Sequence, residues 1–85
     1  MHFIITKKIL DYINSRKPFF EFGDNWPVIG EVWKIKKIVR YPSVNAGEPL
    51  IEAYTDEDKE EQRWMKIPAD LVFDKEYANE IVDEN

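Results

Sequence analysis

The hydrophobic period of this chain changes at Pro18, and that change limits what it can fold into. Ahead of Pro18, Ile9, Leu10 and Ile13 recur at helical spacing with Tyr12 beside them, the pattern of an amphipathic helix with one apolar face. Thr6 stands where its hydroxyl can accept from an orphan backbone N–H of the first turn. A proline pushes the residue before it out of the α region, so the helix is expected over residues 7–16. Behind Pro18 the period falls towards two, the signature of strands. One short helix followed by strand after strand predicts an α+β domain built on an antiparallel sheet.

The strand segments follow from turn signals and alternation. Phe19, Phe20 and Phe22 read as extended, and Gly23-Asp24-Asn25 as a turn. Val28 to Tyr41 reads as a long strand with Trp33, Ile35, Val39 and Tyr41 on one face and Val32 and Ile38 on the other. The pair Lys36-Lys37 interrupts that alternation and predicts a bulge or bend. Pro42 to Pro49 is a loop. Leu50 to Tyr54 and Glu61 to Ile67 form a hairpin turning at Asp56-Glu57-Asp58-Lys59. Its alternation buries Ile51, Ala53, Met65 and Ile67 and leaves Trp64 outside, near Tyr54, where the N-terminal helix is expected to cover it with Ile9 and Ile13. Pro68-Ala69-Asp70-Leu71 is one helical turn and Val72-Phe73 a last strand. Asp74 caps a terminal helix with Tyr77, Ala78, Ile81 and Val82 on its apolar side. That tail is expected to fray. His2 to Ile5 is a short extended segment, with His2 expected to be mobile.

Two stretches resemble an SH3-like β-barrel. Gly30-Glu31-Val32-Trp33-Lys34-Ile35 is similar to the segment that enters the sheet after that fold's first long loop. Trp64-Met65-Lys66-Ile67-Pro68-Ala69-Asp70-Leu71-Val72 is similar to its ending: a hydrophobic strand, a proline, one 3₁₀ turn and a closing valine. With the hairpin between them, the resemblance spans residues 19–73. It implies a small antiparallel barrel or curled sheet, with the N-terminal helix added in front and an acidic tail or helix over 74–85 behind, all in one domain. Polyproline recognition is not implied. Pro49-Leu50-Ile51 stands where a groove tryptophan belongs and Leu71 where a tyrosine belongs; only Pro68 matches the groove.

Eighty-five residues suffice for one domain. Three Trp, four Tyr and five Phe supply a core. Without cysteine the chain can form no disulfide, and a small domain of a secreted protein usually carries such staples. The opening residues lack a signal peptide's apolar stretch, because Lys7 and Lys8 interrupt it. The expectation is a cytoplasmic protein with no membrane partner. Two Ser, two Thr and one His suggest no nucleophile held by a base. Asp56-x-Asp58 begins like a calcium loop, but Glu61 replaces the glycine of its sixth position and Ile67 the glutamate of its twelfth. The expectation is a protein that is not an enzyme and takes no metal or cofactor.

Charge is the remaining signal. Residues 1–45 carry a net +4 and residues 46–85 a net −9. With no chemistry attached to the acidic half, the leading expectation is a protein-binding module or inhibitor, of the kind phages and mobile elements encode. It would dock a basic partner through Glu52, Asp56, Glu57, Asp58, Glu60, Glu61, Trp64, Glu76 and Glu80. The alternative is nucleic-acid binding through Lys34, Lys36, Lys37 and Arg40, with Trp33 or Tyr41 exposed to stack on bases.

Overall fold

The computed structural model describes residues 1–58 and 60–83. Four strands form one antiparallel sheet: β1 His2–Ile4, β2 Val32–Val39, β3 Leu50–Tyr54 and β4 Trp64–Pro68, in the order β1-β2-β3-β4. Two short helices accompany it, α1 Lys7–Asn14 and α2 Lys75–Glu80. The architecture is a small α+β fold on an open meander. His2 lies in β1, opposite Lys34 in register.

α1 begins where its sequence dictates. The Thr6 hydroxyl accepts from the Ile9 N–H at 3.2 Å, and Ile9 and Ile13 are fully buried among Trp33, Phe22, Ile51 and Ile67. Each such side chain contributes roughly 1.5–3 kcal/mol through burial. The helix therefore packs on the inner face of the sheet. Trp64 points the other way, so α1 does not cover it.

The run Phe19-Phe20-Phe22 is not a strand. Pro18, with its fixed φ, starts the 3₁₀ turn Lys17–Phe19, and the Phe20 N–H closes back on the Lys17 carbonyl at 3.1 Å. Phe22 then drops into the core, edge-on to Trp33 with ring centroids 6.0 Å apart. Strand β2 starts at Val32 rather than Val28 and ends at Val39. The bulge falls at the expected place: Ile35 pairs Ala53 while Lys37 pairs Glu52, leaving Lys36 extra. That one added residue shifts the alternation. Ile38 thus joins Trp33 and Ile35 in the core rather than siding with exposed Val32. Beyond β2, the loop turns at Asn45, Ala46 and Gly47, all at positive φ.

The hairpin buries the expected face, with Ala53 opposite Met65 and Ile51 opposite Ile67, all four buried, but its ladder ends at Tyr54 opposite Trp64, so the connection runs over 55–63 and is wider than the expected four-residue turn. Its ladder is shorter than the expected return strand, because β4 begins at Trp64. Lys59, placed in the expected turn, lies outside the described residues. No strand forms at Val72-Phe73: both N–H groups close on the Ala69 carbonyl at the 3₁₀ turn Ala69–Leu71. Asp74 then caps α2 by accepting from the Tyr77 N–H. With no strand at 72–73, β1 and β4 remain edges. The tail is anchored as far as it is described. Asp83 donates its N–H to the Ile38 carbonyl at 2.7 Å and accepts the Ile38 N–H on Oδ2 at 2.9 Å. No described helix is long and apolar enough to cross a membrane.

Candidate functional site

The antiparallel pairing turns alternate residues of β2, β3 and β4 away from the core. On that outer face Tyr54 and Trp64 sit directly opposite each other and stack, centroids 5.0 Å apart and planes 28° from parallel. Trp64 remains 49% exposed. The bulge brings a second gain here. Two residues of β2 oppose one of β3, so both lysines of the pair reach this face. Lys36 Nζ lies over the Trp64 ring at 5.3 Å from its centroid, and Lys37 Nζ is 3.4 Å from Glu52. Lys66 stands two residues along β4 from Trp64, with its Nζ 5.2 Å from the Tyr41 centroid. Lys34 completes the arc, paired to Asp56 at 3.0 Å. The Asp56 hydrogen bond and charge raise the Lys34 ammonium above its ordinary value, so it stays charged.

The face therefore collects residues from both sequence expectations. Lys34, Lys36, Lys37 and Tyr41 come from the basic one, and Glu52 and Trp64 from the acidic one. Tyr54 and Lys66 belonged to neither, although their parity with Trp64 in the hairpin already marked them. Two expected members are elsewhere. Trp33 is 0% exposed and offers no surface for stacking. Arg40 reaches the Asn79 side chain on α2. Beside Trp64 the surface falls into a cleft of about 410 Å³ between β4 and the end of α1, lined by Tyr12, Arg16, Phe19, Phe20, Met65 and Lys66 and by one acid, Glu21. Phe19 is 83% exposed at its rim. On the β1 side, Ile4 and Val32, opposite each other in register, extend the exposed apolar surface.

The acidic residues do not form one surface. Asp56, Glu57, Asp58, Glu60 and Glu61 lie in the loop at one end of the hairpin. Glu76 and Glu80 lie on α2, exposed, beyond the other end, where Lys75 reaches Glu48 at 3.5 Å. The five-residue ladder between those ends spans about 17 Å at 3.4 Å per residue. Glu57 is also engaged internally, accepting from Arg63 at 3.0 Å and from the Thr55 hydroxyl at 3.0 Å.

Arg63 is the hub of that end. Its side chain is 10% exposed, forks onto Glu31 at 3.0 and 2.6 Å, bonds the Asn25 carbonyl at 3.1 Å, and lies over the Trp33 ring. Burial pushes the Glu31 carboxyl up, but hydrogen bonds from Arg63 and Trp33 and the Arg63 charge outweigh it and hold it below its ordinary value. The Glu31 bond likewise holds the Arg63 guanidinium above its own. An open, polar cleft of about 370 Å³ lies over this knot, with Asp24, Glu57 and Glu61 in its wall. Among the described residues no three His, Asp or Glu side chains are grouped so as to hold a metal ion.

Compared with known protein families, characterised proteins and solved structures, the chain shows no significant similarity to any of them. Its class rests on its own geometry: a small α+β domain with an open four-stranded antiparallel sheet.

Proposed function

We propose that this chain is a non-catalytic binding module that holds single-stranded nucleic acid on the outer face of its sheet. The observation that carries the reading is Trp64, half exposed on a wall of Tyr54 with Lys36 over its ring. A single strand needs two things from a protein: cations along its phosphates and aromatic faces for its bases. Both are on this face. A duplex hides its base faces in its own stack, so the aromatic pair favours a single strand. The Arg16 and Phe19 rim of the adjoining cleft offers the strand a continuation past Trp64. The net charge of −5 opposes binding at long range. That repulsion is screened beyond about 10 Å at 0.1 M salt, whereas the lysines act in contact. We also read the sheet as an SH3-like meander left unclosed at β1, with the 3₁₀ turn after β4 in its usual place.

The test is fluorescence anisotropy of labelled single-stranded DNA and RNA titrated with protein at low ionic strength. Binding in or below the non-specific range of about 10⁻⁴–10⁻⁶ M is expected, with displacement by salt. No change in anisotropy well above that range removes the reading.

A second reading has one observation of its own, the cleft with Asp24, Glu57 and Glu61 in its wall. It would dock a basic protein, as an inhibitor does, through the 55–63 loop alone. Capture of partners at low salt with a Glu57→Gln, Glu61→Gln variant as the control separates the two readings, because that variant leaves the lysine face intact.

A further inference from the structure

The two free edges of the sheet are not alike. β4 carries Lys66 and ends at Pro68, which has no N–H. Lysine and proline are what blunt an edge against further pairing. β1 has no proline and no lysine, arginine or acid within His2–Ile4. Its bonds to β2 come from alternate residues. The Met1 carbonyl accepts from the Ile35 N–H and the Ile5 N–H donates to the Glu31 carbonyl, both at 2.9 Å, with Phe3 opposite Trp33 between them. In an antiparallel pair only every second residue bonds its neighbour. The N–H and C=O groups of His2 and Ile4 therefore point out of the sheet, and among the described residues no strand pairs with them.

Beside that edge lies a cleft of about 350 Å³. β1 contributes His2, Phe3 and Ile4 to its wall, the start of α1 contributes Thr6 and Ile9, and the turn after β4 contributes Leu71 and Val72. β1 and β4 are the opposite ends of the sheet order, so the sheet curls until the chain beyond β4 meets β1 across one gap. Backbone groups two residues apart, about 6.8 Å at 3.4 Å per residue, border the gap on the β1 side. Donors and acceptors at that spacing match an extended backbone. We propose that the gap takes one extended peptide segment of another protein, which pairs with His2 and Ile4 as a fifth strand. In such strand addition the backbone bonds give affinity and alternate side chains give selectivity. Side chains on the inner side of the added strand meet Phe3, Ile9, Leu71 and Val72, and those on the outer side lie beside exposed Ile4 and Val32. The segment that fits is apolar at alternate positions. A second copy of this chain is the poorer occupant, because its β1 brings its own β2 onto the side where Leu71 and Val72 stand. The site does not depend on the single-strand reading above.

The probe is a displayed library of random peptides, selected on the folded protein. The selected peptides are expected to carry apolar residues at alternate positions. One of them, synthesised and added in excess, is expected to slow hydrogen exchange of the Ile4 amide on the order of 10-fold or more. Ile4→Pro removes that edge donor and leaves the bonds to β2, which Met1, Phe3 and Ile5 make. Proline is tolerated at such edge positions. The variant is expected to keep its circular dichroism spectrum and to bind the peptide on the order of 10-fold more weakly, the scale of a lost backbone hydrogen bond. A library that yields no peptide binding this chain above an unrelated protein overturns the proposal. So do selected peptides that leave exchange of the Ile4 amide unchanged, or that bind wild type and a folded Ile4→Pro variant equally. Should that variant not fold, exchange in the wild type decides by itself.

Discussion

Trp33 and Trp64 sit on the same sheet, both capped by a cation, and have opposite fates. Trp33 faces inward, fully buried, its indole N–H donated to Glu31 at 2.9 Å and the Arg63 guanidinium over its ring. Trp64 faces outward, half exposed, with its indole N–H on Gln62 at 3.1 Å and Lys36 above. The cations differ in the way that matters. Arg63 is buried and ion-paired twice; among the described residues Lys36 makes no ion pair. One tryptophan closes the fold, and the other remains exposed. Residue type alone does not separate them, because what decides is parity along a strand and the face on which α1 packs.

The largest effects fall on the inner side of that comparison. Trp33→Ala is expected to cost about 3–5 kcal/mol, a large share of the 5–15 kcal/mol that typically separates folded from unfolded states. Urea unfolding measures it, and a loss under about 1 kcal/mol would mean that the two tryptophans are not distinguished by the fold. Arg63→Ala comes next, at about 3 kcal/mol, because it strands Glu31 in a partly buried site. The pH dependence has a definite sign. The Glu31 carboxyl is held below its ordinary value of 4.5 in the folded chain. Its contribution is therefore complete above that value and is lost as pH falls through it towards the folded value. Glu31→Gln is expected to lower stability at neutral pH and to flatten the acid limb of a Tm-against-pH curve. An acid limb as steep as that of wild type would contradict the pairing.

Much of this arrangement is legible in the residues, for reasons that can be named. The Thr6 cap, the Pro18 stop, the Lys36-Lys37 bulge and the buried set Ile51, Ala53, Met65 and Ile67 are local. Each needs only side-chain chemistry or the two-residue period of a strand. Three consequences are not local. Phe19-Phe20-Phe22 looks like a strand because aromatic residues favour strands, yet Phe22 is a core plug on an irregular loop. Whether Val72-Phe73 pairs depends on the turn before it, whose Ala69 carbonyl takes both N–H groups. Trp33 enters the basic stretch as a stacking candidate because Lys34, Lys36 and Lys37 flank it, but adjacent strand residues point to opposite faces. The make-up of the outer face was thus within reach of the sequence: the parity of the hairpin groups Tyr54, Trp64 and Lys66. Adding the lysines required the bulge's consequence for Lys36, and setting the acids aside required the distance between the hairpin loop and α2.

On the outer side, Trp64→Ala is expected to change stability by about 1 kcal/mol, the scale of an exposed aromatic pair, and to remove binding worth about 1–3 kcal/mol. Urea unfolding and anisotropy on the same preparation test both at once. A stability loss as large as that of Trp33→Ala, with binding intact, would return Trp64 to the fold and end the contrast.

The smallest expected effect discriminates among the lysines. Each phosphate neutralised on a single strand contributes about 0.7 to the steepness of log K against log salt. Lys36 faces the Trp64 ring and makes no ion pair among the described residues, so it meets a phosphate without first leaving a carboxylate. Lys34 begins bound to Asp56 at 3.0 Å, and phosphate contact there exchanges one anion for another. Lys36→Ala is therefore expected to reduce the slope by about 0.7, and Lys34→Ala by less. Lys34→Ala also frees Asp56, which raises the local negative charge, so its affinity falls while its slope changes little. Titrations at several salt concentrations give both numbers. Were the ligand instead a basic protein held by the acidic loop, the signs would reverse: removing either lysine would strengthen binding, and the slope would not fall.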